Sequence, residues 1–222
     1  MANLTIVTPS RWLADEVKQS FLKDYPVQVI PNGVDQTIFR PTENDLRKKL
    51  GLEHSFVILG VANVWERRKG LSYFCGLAKK LPEDCKIILI GLNEKQIREL
   101  PEEIIGITRT ENAEELAGYY SMADVFVNAT LEDNFPTTNL EALSCGTPVI
   151  TYETGGSPES LDEKCGRVVP KGDEAALEHA IREEAACPGT TEDCLQRAAY
   201  YKKQDRFMDY VKLYHRLTGQ GE

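Results

Sequence analysis

Residues 123–152 read as a strand, a polar loop, a short helix, a stop and a second strand. That unit constrains the rest of the chain more than any other stretch. Ala123-Asp124-Val125-Phe126-Val127-Asn128 is the first apolar strand and Val149-Ile150-Thr151-Tyr152 the second. Between them Asn134 is expected to cap a helix. Pro136 is expected at its first position, where a missing N–H costs nothing. Gly146 follows the last apolar turn, and Pro148 prevents continuation. A helix N-terminus at the carboxyl end of a strand is where open α/β sheets hold anionic ligands. The free N–H groups near Thr137 and Thr138 would face such an anion. Asp133 and Glu141 lie eight positions apart around this helix start. Neither carboxylate suits a bare phosphate, but both accept hydrogen bonds from sugar hydroxyls.

The same alternation runs through the chain. Phe56–Ala62 and Lys86–Gly91 are near-continuous apolar runs, as strands covered on both faces require. Shorter strands are expected at Leu4–Thr8, Val27–Ile30, Ile104–Thr108 and Gly166–Val169. Ser10 should cap a helix from about 11 to 23, with Trp12, Leu13, Val17 and Phe21 on one face. Thr42 should cap a helix ending at Gly51. Further helices are expected near 71–81, 94–100, 113–122, 173–186, 191–203 and 205–217. Strands alternating with helices imply βαβ crossovers and a doubly wound parallel, Rossmann-like α/β sheet.

Composition narrows the partners. The 222 residues can bury a sizeable core, and the net charge of −9 argues against nucleic acid or an anionic membrane as a general partner. A nucleotide stays compatible, because a few local cations suffice. The six cysteines lack CxxC or Cys/His spacing and read as reduced packing residues. With no apolar run near membrane-spanning length, the expected location is cytoplasmic. A peripheral place at the inner face of a membrane stays open. His54, His179 and His215 lie outside every motif.

Arg67-Arg68-Lys69 is the strongest cation cluster. Taken alone it is a solvated surface run. It follows a buried strand, however, and precedes a helix, where the macrodipole disfavours cations by a few tenths of a kcal/mol. A bound diphosphate would reverse that sign. Phe135 fits a core position and a pocket wall equally well.

The block 133–150 resembles the signature of retaining glycosyltransferases of family 4, two-domain enzymes of the GT-B fold with nucleotide-sugar donors. Glu141-Ala142-Leu143-Ser144-Cys145-Gly146-Thr147-Pro148-Val149-Ile150 carries its second half. The first acid of the pattern, usually Glu, is Asp133 here, with Glu132 beside it. Val29-Ile30-Pro31-Asn32-Gly33-Val34-Asp35, followed by Phe39-Arg40-Pro41, resembles the crossover between the two domains.

The resemblance implies that residues 1–40 end an N-terminal acceptor domain and cross over. Residues 41–222 then form the donor-binding domain with its C-terminal helices, and the remaining acceptor domain is a missing partner. It implies transfer of a sugar with retention to a glycan, lipid or other acceptor, as in polysaccharide synthesis. Lys69 would hold the donor diphosphate. Arg68 or Arg67 would replace the family's earlier Arg, near whose place Asn63 sits. Glu141 would accept from the ribose and Asp133 from the transferred sugar. Asn134, Phe135, Thr137 and Thr138 complete the expected binding set, with no metal and no cofactor besides the donor substrate. Two rival readings are a GT-B sugar-nucleotide epimerase and a non-catalytic nucleotide-sugar-binding module. Residues 1–35 present an open sheet edge that could pair with a second copy. The last helix, with Tyr210, Leu213, Tyr214 and Leu217, has an apolar face.

Overall fold

In the computed structural model, which describes residues 4–219, the chain forms a two-stranded and a six-stranded sheet, both parallel. Residues 1–3 and 220–222, the outer ends of the two ranges expected above, lie outside the described residues. The small sheet pairs β1 (Ile6–Thr8) with β2 (Val27–Val29) around α1 (Arg11–Lys18). After α2 (Leu46–Leu50) come β3 (Phe56–Val61), α3 (Leu71–Ala78), β4 (Cys85–Ile90), α4 (Glu94–Glu99), β5 (Ile104–Ile107) and α5 (Ala113–Met122). Then follow β6 (Val125–Asn128), α6 (Thr137–Ser144), β7 (Val149–Tyr152), β8 (Gly166–Val169), α7 (Glu174–Ala186), α8 (Thr191–Ala198) and α9 (Lys203–Thr218).

The six strands lie in the order β5-β4-β3-β6-β7-β8. Counted from β3, this is the 3-2-1-4-5-6 order of a doubly wound sheet, as expected, and the order reverses between β3 and β6. At that reversal the ladder consists of Ile58 opposite Val125 and Leu59 opposite Phe126. It stops two residues short of both strand ends, whereas β3 and β4 pair through to Val61 and Ile90. A crevice opens where the ladder ends.

Alternate residues of β3 feed opposite faces. Val57 and Leu59 join a cluster with Ile88, Tyr120 and Phe126. Ile58 joins one with Ile87, Leu89, Phe74 and Leu177. Most of these side chains are fully buried, each stabilising by about 1.5–3 kcal/mol relative to exposure.

The helix ends differ from expectation where side chains intercept the backbone. Ser10 caps α1 as read, accepting the Leu13 N–H at 3.1 Å. The helix stops at Lys18, not near 23, because Ser20 donates to the Val17 carbonyl and accepts from the Leu22 N–H. Phe21 therefore sits on a turn, 90% exposed, and not on the helix's inner face. Thr42 does not cap α2; its hydroxyl bonds the Arg40 carbonyl, and the helix begins at Leu46. α3 ends at Ala78 ahead of Pro82, short of the expected 81. The break between the last two helices lies at Lys202 rather than 204. There Val34 bridges to Lys202: its N–H donates to the Tyr201 carbonyl at 2.8 Å, and its carbonyl accepts from Lys203 at 3.0 Å. α6 begins at Thr137 with Pro136 itself as the cap residue, and Asn134 lies two residues outside and caps nothing.

α9 also reaches back to the small sheet through Arg216, which donates to Gln28 at 3.1 Å. Leu213 is buried, while Phe207, Met208, Tyr214 and Leu217 are exposed. The six cysteines are free. Among the described residues no helix is long and apolar enough to cross a membrane.

Candidate functional site

A cavity of about 500 Å³ lies at the carboxyl ends of β3 and β6. Its walls come from the end of β3 (Val61) and the loop after it (Ala62, Asn63, Val64, Glu66), the turn carrying Arg68 and Lys69, Leu116 of α5, and the stretch Asp133, Phe135, Pro136, Thr137, Thr138 and Glu141.

The loop after β3 is pinned by Trp65. Its indole is buried edge-on against Phe74 at 5.4 Å, and its N–H donates to the Ile90 carbonyl at 2.9 Å. Gln96 in turn donates to the Trp65 carbonyl at 2.8 Å. With Trp65 fixed inward, Asn63 and Val64 face the rim, and the chain turns into a 3-10 segment, Arg67–Lys69. Gly70 closes that segment with φ +79°, and a Cβ there would stand 2.2 Å from the Ala129 carbonyl oxygen. Only glycine permits both the left-handed backbone and the approach. The Leu131 N–H donates to the Arg68 carbonyl at 2.7 Å and Thr130 Oγ1 to the same oxygen at 3.3 Å. The cationic turn is thereby stitched to the loop after β6.

That stitching brings Lys69 Nζ to 2.8 Å from Asp133 Oδ2, with about a fifth of each side chain exposed (22% and 19%). Arg68 pairs with Glu66 at 3.1 Å at the rim. The loop holding Asp133 is gripped from the other side as well. Thr154 donates to the Leu131 carbonyl at 2.8 Å, and the Gly156 N–H to the Asp133 carbonyl at 3.3 Å. The glycine-rich turn at 155–159 thus braces the fold. The Glu159 carboxylate accepts the Arg11 and Trp12 N–H groups, both at 2.8 Å, at the start of α1.

The first turn of α6 points its unpaired N–H groups at the cavity, near Thr137 and Thr138. A buried polar chain fixes this helix. Asn128 donates to Asn139 at 2.8 Å, Asn139 to Ser160 at 2.9 Å, and Ser160 to the Ser157 carbonyl at 2.6 Å. One turn on, Glu141 reaches the cavity with its Oε2 accepting from the Tyr120 hydroxyl at 3.0 Å. Burial pushes the Glu141 carboxyl above its ordinary value, and the Tyr120 and Thr137 hydroxyls oppose that rise. Burial and the neighbouring Glu141 push the Tyr120 hydroxyl well above its ordinary value. Phe135 does both jobs open to it: it is 4% exposed, packs at a tilt against Tyr201 with ring centroids 5.7 Å apart, and lines the cavity.

Of the residues singled out from sequence, Asn63, Arg68, Lys69, Asp133, Phe135, Thr137, Thr138 and Glu141 line this one cavity. Arg67 and Asn134 are exposed and stand outside its lining. Glu66, Leu116, Tyr120 and Asn139 were not singled out. Tyr120 and Asn139 act through partners 21 and 11 positions away, which no local pattern encodes. Chemically, Lys69, Arg68 with its partner Glu66, and the helix N–H groups stand beside the carboxylates of Asp133 and Glu141, which suits a ligand with an anionic part and a polyhydroxyl part. Among the described residues, no group of three His, Cys, Asp or Glu side chains is placed to hold a metal ion.

The family model for glycosyl transferases group 1 matches residues 55–185. The D-inositol 3-phosphate glycosyltransferase of Corynebacterium jeikeium is 29% identical over 183 residues, covering 72% of this chain and 43% of that protein. The chain spans about half the length of the curated relatives it matches. Among solved structures, sucrose-phosphate synthase from Thermosynechococcus elongatus superposes with a TM-score of 0.86 at 24% identity, over 98% of this chain and 59% of its own. HepE of Anabaena, solved with UDP and glucose, gives 0.81 at 16% identity, over 95% and 62%. Both are likenesses of fold.

Proposed function

The chain belongs to the group 1 glycosyl transferases, and from that premise we propose that its cavity is the donor site of an enzyme that transfers a sugar from a nucleotide-sugar. The observation that carries this reading is the convergence of Lys69, the first turn of α6, Asp133 and Glu141 on one cavity at the reversal point of the sheet. Lys69 and the N–H groups near Thr137 and Thr138 take the diphosphate, with Arg68 turning in from its rim pair with Glu66. Glu141 accepts from the ribose hydroxyls. Asp133, released from Lys69 when phosphate arrives, accepts from the sugar.

The mechanism follows family 4, with retention and without a protein nucleophile. The acceptor hydroxyl attacks the anomeric carbon from the face that the diphosphate leaves. The carbon–oxygen bond to the diphosphate breaks as the glycosidic bond forms, and the departing phosphate oxygen takes the hydroxyl proton. The chain's contribution is to position the donor and to stabilise the charge that grows on the leaving diphosphate. The donor is a substrate, and no further cofactor enters. Residues 1–40 end the acceptor domain, and the acceptor itself is a glycan or a lipid. On this reading the chain alone holds the donor but transfers poorly, because the acceptor wall of the cleft is built from residues elsewhere.

Calorimetric titration with UDP, GDP and ADP tests the site, with UDP first because HepE, of the same fold, was solved with it. Saturable binding to one nucleotide, weakened by Lys69→Ala and by Glu141→Ala, is the expected result. Binding that both variants leave unchanged would overturn the assignment.

A further inference from the structure

We propose that Tyr120 is a positioning residue for the donor site: its hydroxyl holds Glu141 in the orientation and the ionised form that a ribose needs. The inference rests on the reading of the cavity as a donor site. Tyr120 is fully buried and does not line the cavity, so it approaches the carboxylate from behind. Its ring is wedged edge-on between Phe39, at 6.2 Å, and Phe126, at 5.3 Å. Its carbonyl accepts from the Thr147 hydroxyl at 2.6 Å, and the Thr147 N–H donates to the Ala142 carbonyl at 3.0 Å. These contacts close a circuit from Glu141 along α6 to Thr147, across to Tyr120 and back to Glu141. Thr147 is buried and outside the cavity lining, and holding Tyr120 gives it a role beyond the turn.

The physical need is plain. A carboxylate drawn out of water loses hydration that a fixed O–H donor replaces, and bonds to a charged acceptor are about twice as strong as neutral ones. Without it the Thr137 hydroxyl alone restrains the side chain, and burial favours its protonated form, which cannot accept two hydroxyl protons. The titratable and hydrogen-bonding groups around Glu141 are Tyr120 from α5, Thr137 on its own helix, Cys145 just past that helix, Asp133 before it, and Glu66, Arg68 and Lys69 across the cavity. Tyr120 and Thr137 are the neutral donors among them, and of the two Tyr120 lies outside the cavity lining, behind the carboxylate.

Tyr120→Phe keeps the ring and removes the donor. UDP, GDP and ADP are titrated into wild type, Tyr120→Phe and Glu141→Gln from acid to neutral pH. Tyr120→Phe is expected to bind about 10-fold more weakly at neutral pH. The pH at which binding fails on acidification is expected to move upward, because loss of the O–H donor raises the Glu141 proton affinity further. Glu141→Gln should lose that pH dependence. Weaker binding with an unmoved midpoint, or wild-type binding throughout, overturns the positioning role while leaving the donor site standing if Glu141→Gln still weakens binding. Failure of wild type to bind any of the three overturns both. Thr147→Val, which loosens the Tyr120 backbone, is the second variant should Tyr120→Phe not fold. An upward move of its midpoint supports the role, and none refutes it.

Discussion

Asp133→Asn is expected to tighten the binding of a bare nucleoside diphosphate. Lys69 and Asp133 lie 2.8 Å apart with about a fifth of each side chain exposed. At that separation two unit charges attract by about 1.5 kcal/mol in bulk water and by about 6 kcal/mol at an effective dielectric of 20. Solvent and salt screen a pair with this exposure, so the lower figure sets the scale. An incoming diphosphate must compete with Asp133 for Lys69, and the carboxylate also repels it. Both effects vanish in the variant and both have the same sign. Asparagine keeps the side-chain size, and its amide oxygen still accepts from Lys69. A gain of about 1.5 kcal/mol is about 10-fold in affinity. Calorimetric titration with UDP at low and high salt measures it, and the gain should shrink as salt rises. A UDP-sugar should gain less, because its sugar loses the carboxylate. UDP binding to Asp133→Asn that is no tighter than to wild type would refute the reasoning. It would mean that the diphosphate does not use Lys69, or that Asp133 is needed to hold Lys69 in place.

Gly70→Ala should cost about 1–2 kcal/mol for the left-handed backbone alone, and more from its collision with the Ala129 carbonyl. Urea melts should show that loss and titration a weaker nucleotide complex, since Lys69 is the preceding residue; stability within about 0.5 kcal/mol of wild type would contradict it. Glu141→Gln should be more stable than wild type at neutral pH, with a higher Tm. The sign follows from burial, which raises the folded carboxyl above its ordinary 4.5: stability is complete below that value and is lost as pH rises through the folded one. Melts at pH 4 and pH 7.5 that show the same difference would refute the linkage. Burial pushes Cys145 up to about 12 and Cys165 to about 11, and pushes Cys194 up further still, so these stay unreactive thiols at pH 8. Exposed Cys187 should supply the fast phase of thiol labelling, and Cys187→Ser should remove it; a fast phase that survives would place a reactive thiol elsewhere.

Strands were legible because a strand covered on both faces writes a continuous apolar run, as Phe56–Val61 and Cys85–Ile90 do. Helix ends were less so, because distant or side-chain partners decide them. Nothing between 191 and 205 announces that Val34 will insert at Lys202. Nothing local tells that the Ser20 hydroxyl will end α1 in place of the expected continuation to 23. The site divides along the same line. Lys69, Asp133 and Glu141 could be picked out only through the resemblance of 133–150 and Lys69-Gly70 to a family pattern; taken alone each reads as an ordinary surface, turn or helix residue. Arg67 and Arg68 were open alternatives in the sequence, and the tight 3-10 turn separates them, leaving Arg68 in the cavity lining and Arg67 outside it.

The stretch from Glu141 to Ile150 holds two kinds of residue under one pattern. Glu141 meets the cavity, while Leu143, Cys145 and Thr147 meet the fold. Substitutions at the second kind should act on the site only through what they hold. Thr147→Val should alter nucleotide binding through Tyr120 and Glu141, whereas Leu143→Ala should cost about 2–5 kcal/mol of stability by leaving a cavity in the core. Denaturant melts and titration on the two variants separate the effects. If Leu143→Ala lowers affinity as much as Thr147→Val at equal folded fraction, the circuit through Tyr120 is no more coupled to the site than the rest of the core.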